Sequence, residues 1–135
     1  MARPEVPLAQ EQTLVIKTAT AGDVTFTIEI AATRESQAKG LMFRRSLAKK
    51  SGMLFVYEEP QIIHMWMRST YIPLDMIFID RTGLITKIAR ETEPFSEETI
   101  ASGGNVTGVL EIAGGEAKAL GIRTGDRVVH PHFSP

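Results

Sequence analysis

The chain contains no cysteine, so disulfides, thiolate nucleophiles, zinc–thiolate sites and iron–sulfur clusters are all excluded. Neither sign of charge is in excess: fifteen Lys and Arg stand against sixteen Asp and Glu. Nucleic acid is therefore not expected as a main partner, because a phosphate backbone is met by a basic excess on one face. No apolar run reaches the roughly 18 residues that a membrane-spanning helix needs. Aromatic residues are few, with a single tryptophan, Trp66. The absence of cysteine fits oxidising and reducing compartments equally.

What is present is an ordinary globular balance, 43% hydrophobic and 23% charged over 135 residues, enough for one domain with a real core. Residues 1–12 carry Pro4 and Pro7 and no apolar core segment. They are expected to form a flexible lead-in and not a signal peptide. Residues 13–135 are expected to form a single domain.

From Thr13 the pattern becomes regular. Leu14-Val15-Ile16 and Val24–Ile30 flank Ala21-Gly22-Asp23, and the second run alternates Val24, Phe26, Ile28 and Ile30 with Thr25, Thr27 and Glu29. That is a half-buried hairpin. Thr33 is placed to cap a two-turn helix over residues 34–39, which Gly40 ends. Met53–Tyr57 reads as a buried strand, Glu58-Glu59-Pro60 as a turn and Ile62–Met67 as another strand. Met76–Ile79 follows, then a turn at Asp80–Gly83 and a strand from Leu84 to Ala89. Residues 92–105 read as a long loop, with a helical turn capped by Ser96. Val106–Ile112 is a strand, 114–120 a second short helix closed by Gly121, and Ile122–Val129 a turn into the last strand. The fold class expected is α+β, mainly antiparallel β, a small barrel-like or strongly curved sheet with two short helices.

The densest stretch is Met65–Asp80, two apolar runs around the polar knot Arg68-Ser69-Thr70. Thr33-Arg34-Glu35, Gly40–Arg44, Gly52–Phe55, Trp66–Thr70, Ile72–Asp80, Leu110-Glu111 and Gly125–Val128 occur in that order. Together they resemble the domain-of-unknown-function 192 family of bacteria and archaea, from about Leu14 to Phe133. Where the family more often has Lys-Asn, this chain has Arg68-Ser69, again one cation and one small polar group. The resemblance implies a compact domain often exported, hence periplasmic or secreted, and carries over no activity and no cofactor.

The knot supplies a cation and two hydroxyls, Asp75 a carboxylate past Pro73, and Arg34 and Arg44 flank the first helix. Such a set suits a carboxylate, phosphate or sulfated sugar, since guanidinium offers paired donors. The alternative is structural: Asp75 or Glu35 pairs with Arg44 or Arg68, and Thr70 bonds within its own turn. In a strand Trp66 shares its face with Ile62, His64 and Arg68, opposite Ile63, Met65 and Met67. A lone Trp is by habit a core residue; with the Met face buried, it becomes a platform for a sugar ring or a cation. His64, Met65 and Met67 are soft enough for Cu(I), but strand parity turns His64 away from the methionines, which serve better as core filler. His130 and His132 alternate without a nearby carboxylate. No metal and no cofactor is therefore expected.

No catalytic constellation emerges. Asp75, Asp80, Glu111 and Asp126 offer carboxylates without a spacing that demands paired action. Ser46, Ser69 and Ser102 lack a nucleophile elbow, and Gly103-Gly104 lacks a phosphate-loop context. Asp126 after Gly125 is expected to cap a turn. The leading expectation is a non-catalytic extracytoplasmic domain binding a small anionic or carbohydrate ligand at Arg34, Arg44, Trp66, Arg68, Ser69, Thr70 and Asp75. One alternative is a hydrolase or lyase acting on envelope material with Asp75 or Glu111 as acid or base, which requires a poorly solvated carboxyl in a cleft. Another is a protein-interaction module, which requires an exposed apolar patch of more than a few hundred Å².

Overall fold

Two kinds of strand are written into the chain, and each finds a matching place in the computed structural model, which describes residues 11–135. β1 (Gln12–Thr18) and β2 (Gly22–Ala31) alternate, because only one face of each is buried. β5 (Leu74–Ile79) and β8 (Val106–Ala113) are buried on both faces, as is the first half of β3 (Ser51–Gln61); their runs are accordingly almost unbroken in apolarity. With β6 (Ile85–Thr92) and β9 (Arg127–Val129) they form a seven-stranded sheet in the order β6-β5-β8-β3-β2-β1-β9. Every pairing is antiparallel except β2 with β3. That parallel step needs a crossover, and α1 (Arg34–Lys39) supplies it.

The sheet curls into a half-barrel. Its two edges meet at one end, where Leu84 bridges Arg127 and Val128 N–H donates to the Gly83 carbonyl at 2.7 Å. The concave side holds one core, built on Leu14, Phe26, Ile28, Leu54, Ile77, Leu110 and Ile112. The other face of the central strands carries a second, where Met53, Phe55, Met76, Phe78 and Val109 are covered by Leu41, Ile63, Met65 and Met67. The expected α+β class, mainly antiparallel, strongly curved and with two short helices, is what the chain adopts.

Local signals account for the first helix. Thr33 accepts from the Ser36 amide while the Ser36 hydroxyl accepts from Thr33 N–H, a reciprocal cap. Gly40 ends the helix at φ 48°, and a Cβ there would lie 3.1 Å from the Phe55 ring. The second helix is shorter than expected, α2 (Glu116–Ala119). Gly114 is pinned by its amide to the Pro73 carbonyl at 2.9 Å, and Gly115 takes a left-handed φ of 89°.

Three expectations are corrected. Glu58-Glu59-Pro60 is not a turn: β3 runs through it, with a register shift against β8 between Val56 and Gln61 that accommodates the proline. Residues 62–67 are not one strand. Only β4 (His64–Met65) pairs, with β7 (Ile100–Ala101) from the long loop; beside it Ile63 accepts from Ser102 N–H and donates to the Ser102 hydroxyl, and Met67 N–H donates to the Ser96 carbonyl. The helical turn expected after Ser96 does not form; its hydroxyl accepts from Glu98 N–H at 3.3 Å within a loop. The lead-in expected over 1–12 lies largely outside the described residues, and Gln12 already begins β1.

Candidate functional site

The 62–68 segment, although barely paired, keeps strict alternation. Ile63, Met65 and Met67 are buried and bind the second core, so His64, Trp66 and Arg68 face outward. Trp66 is 41% exposed, against its usual core habit, and its ring lies 5.3 Å from the Arg68 guanidinium carbon. Opposite stands α1, fixed by Gln37, whose amide donates to the Ala31 and Val56 carbonyls at 3.1 and 2.8 Å. Between these walls lies a cavity of about 280 Å³. Arg34 and Lys39 line it from α1, His64, Trp66, Arg68 and Thr70 from the facing wall, and Phe55, Tyr57 and Glu111 from the sheet.

Of the residues expected at a site, Arg34, Trp66, Arg68 and Thr70 meet here. Thr70 acts mainly within the turn, donating to the Arg68 carbonyl at 3.0 Å. Ser69 takes φ 54°, and its carbonyl accepts from Phe43 N–H, which ties the turn to the end of the helical wall; Ser69 does not line the cavity. Arg44 lies elsewhere. It forks onto Glu29 at 2.5 and 2.8 Å, and this bond holds the Glu29 carboxyl below its usual range and raises the guanidinium. That partner, fifteen residues upstream, is neither of the two carboxylates expected to pair with it.

Asp75 is the clearest departure. Fully buried between β5 and the α2 loop, it accepts from the amides of Glu91, Gly115 and Ala117 at 2.8, 3.1 and 2.9 Å. It fastens backbone and does not line the cavity. Asp126 serves the same purpose in its turn, accepting from Ala19 and Arg123 N–H, as expected.

The carboxyl that does reach the cavity is Glu111. Its Cα partners across β8 are Met53 on one side and Met76 on the other, so it lies in an apolar row and is only 3% exposed. Burial, with no cation to offset it, pushes its pKa up to about 8. The neighbouring Tyr57 phenol is raised to about 12, first by its own burial and then by the charge on Glu111. The sequence does carry a signal for this: one acidic residue interrupts the apolar run Val109–Ile112, where a charge is rare unless it is paired or functional.

A second cavity of about 250 Å³ lies near the C-terminus, lined by Tyr57, Glu58, Arg81, Thr107, His132 and Ser134. There the His132 Nε2 bonds the Thr107 carbonyl at 2.8 Å, and the His132 backbone N–H donates to Nδ1 of His130 at 3.1 Å. Among the described residues no group of three or more His, Cys, Asp or Glu is arranged to hold a metal. Phe43, Tyr71 and Phe95 form an edge-to-face surface row, with Phe43 60% and Phe95 56% exposed.

No curated protein matches the chain. Among solved structures, a protein of unknown function from Novosphingobium aromaticivorans is 39% identical, with a TM-score of 0.87 over 96% of this chain and 94% of its own. A Sinorhizobium meliloti protein, provisionally described as a transcription regulator, is 37% identical, with a TM-score of 0.88 over 91% and 95%. A family model described as uncharacterized ACR, that of the domain-of-unknown-function 192 family, matches residues 15–130, and the chain belongs to that family.

Proposed function

We propose that the cavity between α1 and residues 64–70 binds a small anionic ligand, a carboxylate or phosphate carried on a sugar-like ring. The observation behind this reading is that Arg34, Lys39 and Arg68 converge on one concavity. Among the described residues the ion pairs are Lys17–Asp23 and Arg44–Glu29, so no described carboxylate neutralises those three cations. Trp66 adds a half-open aromatic face of the kind that stacks on a ring. Arg44, Ser69 and Asp75 drop out of the ligand set and support the scaffold. A location outside the cytoplasm is part of this proposal, and the family resemblance supports it. DNA is not proposed as ligand, since the chain has no basic excess.

Trp66, the only tryptophan, reports on its own site. Its fluorescence is expected to respond saturably to D-glucuronate or sulfate, and Arg68→Ala to weaken that binding about 10- to 100-fold, the effect of losing one charge-assisted contact. Equal binding by wild type and Arg68→Ala would sink the reading.

A second reading is favoured by Glu111, a carboxyl with a raised pKa inside a cleft. Among the described residues it is the only carboxyl group lining the cavity, whereas glycoside hydrolysis uses two, so a lyase acting on uronate-containing polymers fits better than a hydrolase. Ultraviolet absorbance from an unsaturated uronate product, present with wild type and absent with Glu111→Gln, would establish it. No absorbance change with polyuronate substrates would remove it.

A further inference from the structure

We propose that Glu111 enters the bound complex as a neutral carboxylic acid and donates a hydrogen bond to the ligand's anionic oxygen, which makes binding proton-linked. The inference rests on the anion-binding reading above and names how the same site is regulated. Its ground is placement. Glu111 is a buried carboxyl lining a cavity whose rim is cationic, yet it is flanked by Met53 and Met76 instead of by one of those cations. An ionised carboxylate there would repel an incoming anion at short range in a poorly solvating site; the protonated form presents a donor.

The surroundings are consistent with a single titrating group at the floor. From β3 come Phe55 and the Tyr57 phenol, which stays protonated to about 12 and offers a second donor. From α1 come Arg34 and Lys39, while the Gln37 amide is already committed to two backbone carbonyls. From the facing wall come His64 and Arg68. Anion affinity should therefore follow the protonated fraction of Glu111 and be lost as that fraction falls.

The test follows Trp66 fluorescence of the full chain with D-glucuronate and with sulfate, probes whose own charge is constant between about pH 6 and 9.5. The dissociation constant is expected to be flat up to about pH 7.5 and to rise about tenfold per pH unit above about pH 8. In Glu111→Gln, which keeps a donor but cannot ionise, binding is expected to persist without that slope. His64 lies on the same rim, so the titration is repeated in His64→Gln, where the slope should survive. Calorimetry of the wild type in two buffers of different ionisation enthalpy should show close to one proton taken up at about pH 9, a readout that needs no variant. A flat wild-type profile, or an unchanged slope in Glu111→Gln, overturns the proton link while leaving anion binding standing. No response to either probe at any pH overturns both.

Discussion

Unfolding free energy is expected to fall as pH rises from 4.5 to about 8, and Glu111→Gln is expected to abolish that fall. In the unfolded chain Glu111 loses its proton near 4.5, whereas in the folded protein burial holds it on to about 8. Between those values the folded state binds more protons than the unfolded one. Stability therefore declines with pH, at up to ~1.4 kcal/mol per unit. The contribution is fully present below 4.5 and gone above about 8. Over the window it amounts to several kcal/mol, a large share of the ~5–15 kcal/mol that holds a domain together. His130 works in the opposite direction: burial and the nearby His132 lower its pKa from 6.5, so its share of stability grows with pH. Comparing wild type with Glu111→Gln removes that background. Urea unfolding at pH 4, 6.5 and 8 checks the expectation: the two proteins should match at pH 4, below the 4.5 of the unfolded carboxyl, and the variant should be the more stable by several kcal/mol at pH 8. Parallel profiles would mean that Glu111 is well solvated.

The second large effect belongs to Asp75. Its carboxylate gathers three amides, from Glu91 at the end of β6 and from Gly115 and Ala117 of the α2 region, and it helps to hold Glu91 at φ 48°. Asp75→Ala would leave those donors unpaired in the interior, at ~1–3 kcal/mol each before relaxation, for a combined loss of about 3–5 kcal/mol. Asp75→Asn is not a safe replacement. Its oxygen can still serve Glu91 and Gly115, but its NH₂ group would then face the Ala117 N–H, donor against donor. Chemical denaturation measures the loss. Ligand affinity of the remaining folded protein should be unchanged, because Asp75 does not line the cavity. A stable Asp75→Ala protein that no longer binds anions would reverse this assignment and return Asp75 to the site.

How much of this was legible in the sequence depends on the range of the interaction. The β1–β2 hairpin and the Thr33–Gly40 helix rest on alternation and on capping within a few residues, and both appear as read. β5 and β8 are legible because burial on two faces leaves continuous apolar runs. β4 and β7, two residues each, exist only because each finds the other across 36 residues, and no periodicity fits in two residues. Pro60 reads as a breaker because the bulge that tolerates it is set by the partner strand. The site divides in the same way. Arg34, Trp66, Arg68 and Thr70 flank recognisable turns and meet as expected. Arg44 was claimed by Glu29, and Asp75 by backbone amides, through contacts that only the tertiary fold defines. Trp66 is displaced outward because Met65 and Met67 fill the core beside it. Glu111 was visible as an acid in an apolar strand, but that it faces the cavity is fixed by the registers of two neighbouring strands at once.

The most direct test of the central claim is a ¹⁵N chemical-shift titration of the protein with D-glucuronate. Anion binding in the cavity between α1 and residues 64–70 predicts saturable shifts that cluster on Gly40, Leu41, Arg68 and the Trp66 indole N–H, and that need about 10- to 100-fold more ligand in Arg68→Ala. Saturable shifts confined to Thr107, His132 and Ser134, or none at any concentration, would contradict it.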